Sequence, residues 1–140
     1  MNIISWFEIP ASNFNRAVKF YRNTLEVEIE LHNFNGIAHG VFKIPGEPAN
    51  RITGAIIDCP EKRSDNVGPV LFFSAGTEMV EVLNRIVAEG GKILLNKTLI
   101  RDIISKDKAI IPKTLIDHNV GYYAYFLDSE GNKMGLFSNS

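Results

Sequence analysis

The sequence predicts an α+β fold of two tandem β-α-β-β-β modules, which form a curved mixed sheet around a trough. Residues 5–21 have the pattern of a buried strand, a short turn and an amphipathic helix. Residues 70–91 repeat this plan 65 positions later. Further strand candidates follow each stretch, and neither module could bury both faces of its sheet alone. The chain is therefore interpreted as one unit written twice, with its function between the copies.

Length and charge indicate a single globular domain with no polyanionic partner. The chain has 140 residues, enough to bury a core, and 45% of them are apolar. The net charge is −1 and no apolar run approaches the roughly 20 residues of a membrane helix, so we expect neither nucleic acid nor a membrane as partner. Because Cys59 is alone, no internal disulfide can form, and a cytoplasmic location is expected.

The first module is predicted over residues 1–59. Pro10 is expected to end the first strand, because proline has no N–H to donate. Ser12 or Asn13 can cap the helix, in which apolar residues recur at i, i+3, i+4 and i+7 from Phe14. The predicted strands are residues 3–9, 27–31, 37–44 and 52–58.

The second module is predicted over residues 69–140. Its helix starts at Gly76-Thr77 and stops at Gly90-Gly91. The predicted strands are residues 70–74, 92–98, 122–127 and 133–137. An insertion at about residues 99–119 has no counterpart in the first module. Connections of this length are usually functional or mobile, so a lid, a dimer contact and disorder all stay open for it.

The motifs together resemble the vicinal oxygen chelate superfamily of glyoxalase I, extradiol dioxygenases, and fosfomycin- and bleomycin-resistance proteins. The matching stretches are Trp6–Pro10, Arg16–Tyr21, Ala88–Lys92 and Phe126–Asn132. The resemblance implies the paired-module fold, a small-molecule ligand, and a homodimer in which the partner helps to close the trough. It says much less about the reaction, since one fold hosts many chemistries.

Enzymes of this superfamily hold a divalent metal with His and Glu side chains from the first and last strand of each module. By resemblance, those positions map here to Trp6, Gly54, Leu71 and Gly135. None of these side chains can bind a metal, whereas a divalent site needs about three or four N, O or S donors. We therefore expect no metal site and no cofactor, and standard metal-dependent lyase or dioxygenase chemistry is not expected.

Glu8 and His39 are the candidate catalytic residues. Glu8 lies two residues from Trp6 and should share its side of the strand, facing the trough. There it would be either a desolvated general base or a strand-end acid paired with Lys or Arg. His39 lies mid-strand, as an acid/base group facing the ligand or as a structural histidine. His32 and His118 are expected in solvated loops.

The candidate ligand-binding residues are apolar or aromatic: Trp6, Leu71, Phe73, Tyr125 and Phe137. Trp6 could stack on a ligand ring or pack in the core. Tyr125 lines either the trough or the outer face of its sheet.

The sequence leaves three functional hypotheses. The first is a metal-free pocket for a small aromatic or amphipathic molecule, as in the bleomycin-resistance proteins that the chain resembles. The alternative is a glyoxalase-type lyase or isomerase, which would use Glu8 with His39 or His118 for proton transfer, or a metal at other positions. The third is a structural dimer or interaction module.

Overall fold

The computed structural model describes residues 3–46, 52–62, 67–100 and 121–140, which contain eight strands and two helices. Most of the predicted insertion lies outside the described residues. The helices are α1 (Phe14–Leu25) and α2 (Met79–Ala88). The strands are β1 (Trp6–Ala11), β2 (Glu28–Phe34), β3 (Ile37–Lys43), β4 (Thr53–Asp58), β5 (Phe72–Ser74), β6 (Lys92–Leu99), β7 (Tyr122–Leu127) and β8 (Lys133–Ser138).

The strands form two four-stranded sheets with the same topology. The first sheet has the order β1-β4-β3-β2 and the second the order β5-β8-β7-β6. In each sheet the first strand pairs parallel with the last, and the other pairs are antiparallel. This confirms the predicted α+β fold of two β-α-β-β-β modules. Within the described residues, neither helix is long and apolar enough to span a bilayer.

Strand β1 continues through Pro10, which the sequence analysis expected to end it. The carbonyl of Ala11 accepts a hydrogen bond from the backbone N–H of Cys59 at 2.9 Å. Residues two apart on a strand point their backbone groups the same way, so Ala11, Ile9 and Phe7 bond to β4. Pro10 then directs its nitrogen to the free edge of the sheet, where no N–H is needed.

The helices have the predicted 65-residue spacing. Asn13 caps α1, since its side chain accepts the N–H of Arg16 at 3.0 Å. Both helices bury one apolar stripe against the sheets. The pairs Ala17 and Val82, Val18 and Leu83, and Tyr21 and Ile86 are all buried.

The first strands of the two modules are 64 residues apart, one fewer than the sequence analysis predicted. Ala11 and Ala75 are the last buried residues before the helices, 64 positions apart. Two residues separate Ala11 from α1, whereas three separate Ala75 from α2. As a result, Phe72 corresponds to Glu8 and Phe73 to Ile9. A shift of one residue moves a strand's side chains to the opposite face.

The two sheets pack together through their helix-bearing faces. The ring of Phe73, on the second sheet, lies 6.2 Å from those of Phe7 and Phe42 on the first sheet and 5.8 Å from that of Tyr21 on α1. The buried apolar residues form one cluster that draws on both modules. The opposite face of each sheet therefore points away from the core.

Candidate functional site

We define the first open face as the side of the first sheet that points away from the helices. Its central residues are Trp6, Glu8, Phe34, His39 and Ala55. The strand register aligns Glu8 with Ala55 and His39 with Ile57, so these side chains share one face. Trp6 is 43% exposed and Phe34 47% exposed, which is high for large aromatic side chains. This face is therefore uncovered by the chain's own core.

Glu8 and His39 meet on the first open face. Oε2 of Glu8 accepts the indole N–H of Trp6 at 3.3 Å and lies 3.7 Å from Nε2 of His39. Nδ1 of His39 is 2.9 Å from the carbonyl oxygen of Ile37. A carbonyl only accepts, so Nδ1 carries the proton of the neutral ring and the Nε2 lone pair faces the carboxylate. A proton gained at Nε2 would form an ion pair with Glu8.

A small residue lies beside this pair. Ala55 lies on β4, between β1 and β3, and is completely buried. It aligns with Glu8 on β1 and with Val41 on β3, whereas His39 aligns with Ile57, so Glu8 and His39 approach each other diagonally across β4. Further along the first open face, the ring centroid of His39 lies 4.8 Å from that of Phe34. Phe34 in turn stacks on His32 at 5.5 Å, with an interplanar angle of 11°.

Glu8 with His39 was one of two proton-transfer pairs considered from the sequence, and the contact of Trp6 with Glu8 was not predicted. The Glu8 side chain is 46% exposed and that of His39 is 12% exposed. Glu8 is therefore not the desolvated carboxylate that the first interpretation required, and its partner is a histidine rather than Lys or Arg. The pairing depends on β4 lying between β1 and β3, which follows from the topology and not from any local motif.

We define the second open face as the corresponding side of the second sheet, and aromatic rings dominate it. The ring of Tyr125 lies 5.6 Å from that of Phe72 and 5.4 Å from that of Tyr123. Nζ of Lys133 lies 4.4 Å from the centroid of the Tyr125 ring, a cation–π distance. A shallow cavity of about 320 Å³ is lined by Phe72, Ile100, Tyr123, Tyr125 and Phe137.

Two of the predicted ligand-binding residues lie elsewhere. Leu71 and Phe73 pack against the buried core instead of lining the second open face, which carries Phe72 at 49% exposure. The extra residue between β5 and α2 accounts for this, because it shifts the register of β5 by one. Tyr125 and Phe137 lie on the second open face, where Ser74 aligns with Phe137.

The positions that correspond to the superfamily's metal ligands also differ from those that the resemblance implied. Gly54 points into the core, where an added Cβ would clash with the Phe7 ring and carbonyl oxygen, so it cannot face the trough. The aligned open-face positions of the first and last strands are Glu8, Ala55, Phe72 and Gly135. Only Glu8 has a donor atom. Among the described residues, no three His, Cys, Asp or Glu side chains are grouped as a metal would require. These residues do not fit the superfamily's metal.

A polar clamp, not anticipated from the sequence, fixes the two modules against each other. Asp128 accepts the phenol O–H of Tyr21 at 2.6 Å. Glu130 accepts two hydrogen bonds from Arg16, at 2.6 and 3.0 Å, and one from the Asn13 N–H at 2.7 Å. Its side chain is fully buried. The predicted β7–β8 turn thus also holds the N-terminus of α1.

Electrostatics of the clamp favour an ionised Glu130. Burial alone would raise the pKa of Glu130, but hydrogen bonds from Arg16, Asn13, Ser12 and Ser129 outweigh it and lower the pKa to about 2. Burial and the neighbouring Asp128 carboxylate raise the pKa of Tyr21 well above its ordinary value. Tyr21 therefore stays a neutral donor to Asp128.

The chain matches no protein-family profile. No curated protein sequence matches it either. Solved structures do match. FosX, a fosfomycin resistance protein from Listeria monocytogenes solved with Mn(II) and sulfate, has a TM-score of 0.62 at 14% identity, covering 99% of this chain and 93% of that one. Hypothetical protein SA1046 from S. aureus has a TM-score of 0.59 at 12% identity, covering 98% and 94%.

A V278E mutant of glyoxalase I from Zea mays has a TM-score of 0.66 at 14% identity. The alignment covers 96% of this chain and 45% of that one, so this chain spans about half of the maize protein. At such identities the likeness establishes the fold. This fold is the one that the sequence analysis expected.

Proposed function

We propose that the protein is a homodimer that binds a small aromatic or amphipathic molecule, without a metal, between the first open face of one copy and the second open face of the other. The observation that carries the proposal is the division of the two faces. One presents the Glu8–His39 pair and the other presents Phe72 and Tyr125. Within one chain the faces point away from each other, so a second copy is needed to bring them together.

Exposure of apolar surface supports the dimer. Trp6, Phe34 and Ile37 on the first open face are between 43% and 47% exposed, and Phe72 on the second is 49% exposed. Grouped exposed apolar residues of this kind commonly mark interaction or ligand sites.

The chemistry of the two faces supports the ligand class. Rings such as Phe72 and Tyr125 offer stacking partners, and an aromatic pair contributes about 0.5–1.5 kcal/mol beyond area burial. Glu8 and His39 can orient a polar group of the ligand by hydrogen bonds. Because Cys59 is a free thiol, as is usual in a reducing compartment, we propose a cytoplasmic location.

Ligand-detected NMR with a library of aromatic fragments tests the proposal. We expect aromatic hits that Tyr125→Ala and Trp6→Ala each weaken by about tenfold or more, the loss of one stacked ring. Val87→Ala, on the exposed side of α2, is the matched control and should bind as the unmodified protein does. Hits that bind equally well to both face variants would contradict the site.

A proton-transferring lyase or isomerase is the second candidate, favoured by the 3.7 Å approach of Glu8 to His39. The Nε2 lone pair would accept a proton and Glu8 would stabilise the imidazolium. Solvent deuterium exchange into small carbonyl compounds is the assay. Exchange that disappears in both Glu8→Gln and His39→Gln supports this candidate, whereas exchange that survives in both eliminates it.

A further inference from the structure

A larger cavity lies between the two modules, and most of the described side chains that line it belong to the core or pack against it. We call it the inter-module cavity, and its volume is about 770 Å³. Its walls include the rings of Phe7, Phe42 and Phe73, whose centroids are 5.7–6.2 Å apart. Leu25 and Val27 close one end. Trp6, Glu8, His39 and Tyr125 are not among the described residues that line it, but Phe72 is, so the cavity adjoins the second open face at that ring.

The end of α1 explains why the cavity stays unfilled. The helix ends at Glu26, which adopts a left-handed conformation with φ 52°. The chain turns there into β2, so Leu25 and Val27 pack against the edge of the core without covering it. The facing residue from the second module is Leu71 at the start of β5. Core side chains beside such a gap lose dispersion contacts, which an apolar occupant would restore.

The lining selects the chemistry of the occupant. None of the described lining residues is ionisable, and Ser74 has the one polar side chain among them. A charged ligand would lose its hydration there without gaining a partner, which is costly. The volume lies within the roughly 300–1,000 Å³ of typical ligand pockets. Because two modules wall the space and the Phe42 floor is only 3% exposed, a compact molecule fits it better than the flat face of another protein.

We propose that the inter-module cavity binds one uncharged, mainly hydrocarbon molecule, in addition to the ligand on the open faces. Binding would stabilise the packing of the two modules, since rings from both of them contact the occupant.

Titration of the full chain with N-phenyl-1-naphthylamine, an uncharged fluorescent probe, tests the proposal. We expect saturable fluorescence enhancement with one probe per chain. Val27→Glu places a carboxylate in the lining and should weaken binding by at least about tenfold. The matched control Val87→Glu makes the same change on the exposed side of α2, where Val87 is 57% exposed, and should bind as before.

Three further measurements distinguish binding in the cavity from loss of folding, from binding of charged molecules and from binding at the open faces. Circular dichroism establishes that each variant is folded, and Val70→Glu, in the same lining, replaces Val27→Glu if the latter unfolds. Decanol should displace the probe and decanoate should not, because only decanol is uncharged. Tyr125→Ala, on the second open face, should bind the probe normally.

Several results would overturn the proposal. These are the absence of saturable binding, unchanged binding in the folded lining variant, and displacement by decanoate as effective as by decanol. If Tyr125→Ala abolishes binding while the lining variant retains it, the probe occupies the open-face site, and the proposed function survives without the inter-module cavity. If the lining variant instead dissociates a dimer that does not bind the probe, a second copy covers the cavity.

Discussion

The two open faces occupy matching places in the two modules but carry different side chains. Where the first face has Glu8, the second has Phe72, and where the first has His39, the second has Tyr123. The last-strand residue aligned with Glu8 is Ala55 and the one aligned with Phe72 is Gly135, so both modules have a small residue at this place. Both faces carry aromatic rings, whereas the pair of a carboxylate and a histidine lies on the first face.

The glycines of the two last strands show how far the modules have diverged. Gly54 and Gly135 lie opposite Phe7 and Phe72, so they look like counterparts. Yet Gly54 points into the core and Gly135 points to the second open face. Each glycine makes room for the neighbouring ring, but on opposite sides of its sheet.

The largest expected effect on stability comes from substituting one of these glycines, and the two substitutions should differ. In Gly54→Ala the new methyl group would clash with the Phe7 carbonyl oxygen, which is backbone and cannot move freely. We expect a loss of about 3–4 kcal/mol in the free energy of unfolding. In Gly135→Ala the methyl meets the Phe72 ring alone, which is half exposed and can rotate, so we expect about 1 kcal/mol. Urea denaturation measures both, and equal losses would contradict the assigned directions.

The clamp gives the next largest effect. The pKa of Glu130 is lowered to about 2, so its stabilising contribution is present above its ordinary pKa, 4.5, and is lost as the pH falls towards 2. Full loss is about 3 kcal/mol. Glu130→Gln should therefore reduce stability by about 2–3 kcal/mol at pH 7 and flatten the dependence between pH 5 and 2. Thermal unfolding over this range checks the sign, and a variant with an unchanged acid slope would contradict it.

Substitution of Ala55, on the first open face, should have an intermediate effect on stability. In Ala55→Leu a larger side chain enters a fully buried position that aligns with Glu8 and is two residues from the position aligned with His39. Overpacking should destabilise the protein by about 1–3 kcal/mol and push the two side chains apart. NMR of the His39 ring nitrogens should then match that of Glu8→Gln. A His39 spectrum identical to that of the unmodified protein would show that the Glu8–His39 pair does not depend on the small side chain of Ala55.

The smallest expected effect on stability is at Glu8. Because its side chain is 46% exposed, Glu8→Gln should change the free energy of unfolding by less than about 1 kcal/mol. The same substitution at Glu130 is the contrast, since that carboxylate is buried and clamps the modules. If Glu8→Gln costs as much as Glu130→Gln, Glu8 is a structural residue and loses its proposed role in binding.

Sequence patterns predicted the repeated fold because helix stripes and strand alternation are local signals. They predicted that Tyr125 and Phe137 line the ligand site but did not predict Phe72 there. One extra residue between β5 and α2 turns the side chains of β5 to the opposite faces of the sheet. The sequence left Glu8 with His39 and Glu8 with His118 as alternatives, since the contact depends on the order of strands in the sheet. The clamp of Asp128 and Glu130 was read only as a turn, because its partners lie more than 100 positions away.

Complementation between two variants tests the two-copy site most directly. Trp6→Ala weakens the first open face and Tyr125→Ala weakens the second, so each variant alone should bind an aromatic fragment from the NMR screen about tenfold or more less tightly than the unmodified protein does. If each site combines faces from two copies, an equimolar mixture after subunit exchange contains heterodimers with one intact site. Binding should then return to about a quarter of the original capacity. A mixture that binds no more than the separate variants would contradict the account.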